Sequence, residues 1–153
     1  MSWVGFALLS ALFAGMTALL AKIGVENVPS SLATLIRTVV ILIFTVGIVL
    51  ARGEAHHIRD LSSRTWLFLV LSGIATGLSW LCYFAALKSG PISHVAPIDK
   101  LSFVIAVTLG IVFLGEKLSA VATGGVALIV AGVALTLPGA QQWIEGIFSR
   151  GPR

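Results

Sequence analysis

Apolar residues run along this chain in blocks of about twenty, separated by short polar breaks. A helix crossing a hydrocarbon core of about 30 Å needs about 20 mostly apolar residues, and five blocks reach that length: residues 3 to 22, 32 to 51, 66 to 87, 95 to 114 and 119 to 137. The breaks carry turn and cap chemistry: Pro29 between Asn27 and Ser31, the charged stretch from Arg52 to Thr65, Gly90 and Pro91 between Lys88 and His94, Glu116 to Leu118, and Pro138 with Gly139. No positive residue precedes the first block and no small-x-small cleavage site follows it before Lys22, so it is expected to be a retained helix rather than a signal peptide. Trp3, Trp66 and Trp143 fall at block edges, where indole rings favour the membrane interface. The pattern predicts an all-α membrane protein with a transmembrane domain over residues 3–137 and a tail, interfacial or disordered, over 138–153.

Composition sharpens this picture. Of 153 residues, 58% are apolar and 10% charged, whereas a soluble domain carries about 45–50% and about 25%. A water-soluble globule is excluded, and so is disorder, which requires few large apolar residues. The net charge of +4 comes from ten Lys and Arg spread thinly over the chain, so no basic stripe forms and no nucleic-acid partner is expected. These charges orient the helices instead. Arg52, Arg59, Arg64 and Lys117 fall on one side, and Lys22, Lys88, Arg150 and Arg153 on the other. Setting the tail aside, the short loops favour a cytoplasmic N-terminus for a multi-pass protein of the cell membrane.

Metal, redox and catalytic chemistry have little to stand on. Cys82 is alone, the His56–His57 doublet lies in the Arg-rich loop without a ligand set, and no nucleophile motif or phosphate loop occurs. Neither an enzyme nor a cofactor is expected.

Intramembrane charges cost about 2.5–3.5 kcal/mol each at mid-helix on the insertion scale, which makes Arg37, Asp99 and Lys100 the first functional candidates. Arg37 and Asp99 fall at matching depth from helix starts on the same membrane face, so an interhelical pair is geometrically open to them. Asp99 then either accepts a proton or cation, tuned by Arg37, or forms a permanent ion pair. Lys100 points about 100° away and is expected to snorkel or meet a partner chain. On the third helix Thr76, Gly77, Trp80, Tyr83 and Phe84 share a face, and Thr34, Thr38 and Thr45 form a polar stripe on the second. These faces either line a cavity for a cationic or aromatic solute, or pack against neighbouring helices or lipid. Gly73 and Gly77 form a GxxxG pair, and Ala120, Gly124, Ala127, Ala131 and Ala134 a small-residue stripe; both suit close helix contact in lipid, within one chain or between two.

An odd number of spans has a further consequence, because a second copy of five would enter the membrane inverted. Many secondary transporters consist of two such inverted repeats. This chain contains no internal repeat, so the other half is expected from another chain.

Residues Ala85 to Leu135 read AALKSGPISHVAPIDKLSFVIAVTLGIVFLGEKLSAVATGGVALIVAGVAL. This segment resembles the EamA domain of the drug/metabolite transporter superfamily, in its single-domain five-helix bacterial or archaeal form. The resemblance rests on AAL closing helix three, a turn into VAPI, LGEKL at the end of helix four and the glycine-rich helix five. It maps Glu116 to the acidic residue closing helix four, where it would cap the turn into helix five, and Gly125 and Gly132 to helix-five glycines that pack helices. Typical members have two domains and about ten helices, and many carry a proline near position 103, where this chain has Phe103. The resemblance implies one half of an inverted-repeat bundle: a secondary transporter or exporter of small metabolites or drugs, working by alternating access as an antiparallel homodimer or with a related chain. The other class open to the chain is a non-transporting membrane assembly or regulatory partner.

Overall fold

A computed structural model describes residues 2–142. The tail beyond, with Trp143, lies outside the described residues. The main elements are six α-helices: α1 (Trp3–Gly24), α2 (Ser30–Ala51), α3 (Ser63–Ser89), α4 (Ile92–Asp99), α5 (Leu101–Leu114) and α6 (Ala120–Thr136), with a 3₁₀ helix over Glu54–Asp60. Four apolar stretches are long enough to cross a membrane (α1, α2, α3 and Ile92–Leu114), and α6 adds a shorter apolar helix of 17 residues. The five blocks of the sequence are therefore all helical, and the protein is an all-α, multi-pass membrane protein.

Local chemistry sets the boundaries. Ser2 caps α1 by accepting from the Gly5 amide at 3.4 Å, and Ser119 caps α6 by accepting from the Ala122 amide at 3.1 Å. Pro29 precedes α2, and its carbonyl takes the Ala33 amide at 3.0 Å. After α2 the chain turns at Gly53, whose φ of 67° lies in the left-handed region that favours glycine. The fourth block is divided at Lys100. Pro97 has no amide hydrogen, and the following turns tighten, with Lys100 N–H donating to the Pro97 carbonyl and Phe103 N–H to the Lys100 carbonyl. The interruption thus lies just after Pro97 and occurs without a proline at position 103.

The chain divides into two compact units, Met1–Ser89 and Gly90–Arg153. In the first, α1 and α2 each pack on α3. Val25, Thr34, Phe84 and Leu87 are buried there, and Lys22 Nζ donates to the Leu87 carbonyl at 2.6 Å, fastening the end of α1 to the end of α3. In the second, α6 packs on α4 and on α5. His94 Nδ1 lies 2.6 Å from the Thr136 carbonyl, which can only accept, so Nδ1 carries the hydrogen. Elsewhere large apolar side chains face outward: Leu8, Phe44 and Phe113 are 67%, 68% and 77% exposed. Such a surface is stable against lipid tails and not against water.

Candidate functional site

The first unit holds an intramembrane cation in an unusual setting. Arg37 lies seven residues beyond the first residue of α2, about 10 Å along the helix. Its guanidinium carbon sits 4.4 Å from the Trp80 ring centroid and 5.6 Å from that of Phe84, both on α3. Tyr83, one residue before Phe84, is close enough to interact electrostatically with the same charge. The ring faces supply negative quadrupole to the half-buried cation, and such contacts contribute up to about 2 kcal/mol where the cation is desolvated. Among the described residues of this unit the guanidinium donates no hydrogen bond and has no carboxylate partner.

Arg37 lines an open cleft of about 420 Å³ between α1 and α2, floored by Phe84. Thr17, Leu20 and Ala21 line it from α1, Val25 and Val28 from the turn, and Ala33, Ile36 and Ile41 from α2. Arg37 is the one charged residue in that lining. The structure brings Arg37, Trp80 and Tyr83 together, and Phe84, which the sequence placed on the same face, forms the floor. The ring face that the sequence offered to a cationic solute is the one on which Arg37 lies.

The threonines behave otherwise. Thr34, Thr38 and Thr76 each donate to the carbonyl four residues earlier, at 2.8 Å (Ser30, Thr34 and Ser72), and Thr45 does the same to Ile41. Their hydroxyl hydrogens are used inside their own helices.

In the second unit the charges sit at the helix interruption. Lys100 Nζ lies 3.5 Å from Asp99 Oδ2, so the two neighbours pair although a regular helix would point them about 100° apart. Asp99 is the last residue of α4 and Lys100 joins it to α5, so each charge stands between a helix C-terminus and a helix N-terminus, whose fields oppose one another there. Glu116 departs from its expected role. Ser119 caps α6, while Glu116 turns back over α5: its amide donates to the Gly110 carbonyl at 3.3 Å and its Oε2 would stand 2.9 Å from a Cβ on Gly110. Gly115, with φ of 68°, makes that reversal possible. The LGEKL segment is a turn device.

A Cβ placed on Gly73, Gly77, Gly124, Gly125 or Gly132 would meet nothing within 4 Å. In the Arg-rich loop, His56 Nδ1 contacts the Gly53 carbonyl at 2.8 Å and His57 lies 3.8 Å from Asp60.

Apolar crossing helices, a charged interruption inside one of them and a cation bordering an intramembrane cleft define a multi-pass membrane protein with charges inside its spans. The EamA-like transporter family matches residues 1–137, and the chain belongs to that family. It is 54% identical over 134 residues to an "uncharacterized transporter in cobO 3′ region" of Sinorhizobium sp, covering 88% of this chain and 95% of that protein. It is 32% identical over 139 residues to the "uncharacterized transporter YxxF" of Bacillus subtilis (strain 168), covering 89% of this chain and 42% of that one. No solved structure matches the chain.

Proposed function

We propose that the chain is half of a secondary transporter for a small organic solute, completed by a second copy inserted in the opposite orientation and working by alternating access. The observation that carries this reading is one of length: the chain corresponds to nearly all of one relative named as a transporter and to 42% of another. The longer protein has room for two such domains in one polypeptide, whereas the shorter requires two chains for the same number of helices. In a tandem polypeptide five crossings invert the second domain, as inverted-repeat transporters require, and for a separate copy the near-even split of loop charges leaves insertion in the opposite orientation open. The uncovered glycines of α3 and α6 support the pairing, since small residues admit a close neighbour in lipid. The interrupted fourth span, with Asp99 and Lys100 at the break, supplies the discontinuous helix at which such transporters place coupling ions or substrates.

In this reading Asp99 is the coupling carboxylate, the cleft beside Arg37 admits the solute, and the N-terminus of the orienting copy is cytoplasmic in the cell membrane. The test combines a dual reporter fused to the C-terminus with cysteine crosslinking at Gly77 and Gly125, and flux in liposomes. Both reporter orientations, crosslinked pairs and solute flux lost in Asp99→Asn are expected. A single orientation without crosslinks would remove the two-chain pore, and crosslinked pairs without flux over a broad solute panel would leave an assembly or regulatory role.

A further inference from the structure

The guanidinium of Arg37 and the cleft it lines have complementary features that point to one chemical class of ligand. A guanidinium has five N–H donors in one plane and a π-face on either side. Here it lies 4.4 Å from the Trp80 ring centroid, a contact that uses no acceptor, and among the described residues of the first unit it makes no hydrogen bond. N–H pairs left without an acceptor match a carboxylate, which accepts two of them side by side.

The remainder of the cleft has the opposite character. Leu20, Val28, Ile36 and Ile41 offer apolar walls, and Thr17 is the sole uncharged polar side chain in the lining. Glu26, in the adjoining turn, is exposed and does not line the cleft. The electrostatics of this pocket within its unit are therefore those of one positive charge in a low-dielectric wall. A cationic solute would meet like charge, and a neutral apolar one would leave the donors unmet. The volume of about 420 Å³ is within the usual range for small-molecule sites and accommodates a ring with a short acidic side chain.

We propose that the cleft between α1 and α2 binds a small amphipathic organic acid, its carboxylate on the edge of Arg37 and its apolar body along Leu20, Val28, Ile36 and Ile41. This names the solute of the transport reading and rests on it for the inference that the acid is carried; binding itself does not depend on flux.

The experiment uses the full chain in zwitterionic nanodiscs with Trp80 as its single tryptophan (Trp3→Phe, Trp66→Phe and Trp143→Phe), titrated with 3-(4-nitrophenyl)propanoate, whose nitroaromatic ring quenches indole, and with its neutral amide. Saturable quenching by the acid at about tenfold or more higher affinity than the amide is expected. Arg37→Gln brings the acid down to the amide, Arg37→Lys retains part of the preference, and Ala21→Phe, which fills the cleft from α1, weakens both ligands. Equal affinity of acid and amide in the parent would overturn the proposal. So would an unchanged preference in Arg37→Gln with helicity intact, or acid binding that emerges only in Asp99→Asn, which would make the chain's own carboxylate the partner of Arg37. Loss of acid binding on adding phosphatidylglycerol to the disc would assign the edge to lipid headgroups instead. Absence of flux in liposomes with acid binding preserved would refute the transport reading and leave this site standing.

Discussion

The two units of this protein handle intramembrane charge in contrasting ways. In the first, Arg37 lies against the rings of Trp80 and Phe84 and makes no hydrogen bond among the described residues of that unit. In the second, Asp99 and Lys100 neutralise one another across 3.5 Å at a helix interruption. Aromatic stacking desolvates a cation while leaving its donors to act, whereas pairing with a neighbour answers the charge locally. The first arrangement suits recognition of a ligand and the second suits a hinge or a coupling site. Each unit is also fastened by one side chain reaching a helix-end carbonyl: Lys22 to Leu87 in the first, His94 to Thr136 in the second.

The largest expected effect breaks the first unit's side of this contrast. Trp80→Leu removes the ring under Arg37 while keeping an apolar side chain, and a loss of about 2 kcal/mol is expected from the stack and the lost contacts together. A double-mutant cycle with Arg37→Met isolates the stack. A coupling of about 1 kcal/mol in reversible unfolding in mixed micelles is expected. Additive losses would mean that the ring serves packing alone.

The two fastenings differ in donor and so in expected weight. Lys22→Met removes an ammonium hydrogen bond of 2.6 Å and should cost about 2 kcal/mol, whereas His94→Phe removes a ring N–H hydrogen bond and should cost about 1 kcal/mol. The same unfolding measurement ranks them, and the reverse order would show that the fastening of the second unit is the stronger.

The helical blocks were legible in the sequence because a span must be apolar over its whole length, and that periodicity survives without knowledge of neighbours. The interruption at Lys100 was less so: Pro97 was visible, but it lies in the first turns of the fourth block, where proline is often tolerated, and its effect emerges only in the tightened turns that follow. The spacing puts Trp80 and Phe84 on one face of the third helix, but that Arg37 lies against them depends on how α2 packs on α3, which the sequence does not show, and ionic pairing with Asp99 competes for the same residue. The bonded state of Lys100 with Asp99 likewise depends on the local break. Glu116 was misassigned to capping because the spacing LGEKL fits either direction of reach; only the left-handed Gly115 turns the chain so that the carboxylate returns to Gly110.

That turn permits a finer comparison with the first unit. Gly53 and Gly115 have nearly identical φ values, 67° and 68°, with open space around each, so an alanine meets the same backbone strain at both. Gly53→Ala and Gly115→Ala should each cost about 1 kcal/mol in unfolding experiments. A much larger loss at Gly115 would show that the Glu116 reversal contributes to stability beyond the backbone.

Gly110→Ala gives the smallest effect and resolves that question. Its Cβ would stand 2.9 Å from Glu116 Oε2, the far end of a flexible and exposed side chain, which can swing aside at little cost. Alanine also favours the helical state over glycine by about 1 kcal/mol, so the two changes should nearly cancel and leave stability within about 0.5 kcal/mol of the parent. If Gly110→Ala instead destabilises strongly while Glu116→Gln with Gly110→Ala does not, the carboxylate is held over α5 by its charge, and the turn between α5 and α6 is a fixed element of the second unit rather than a passive connection.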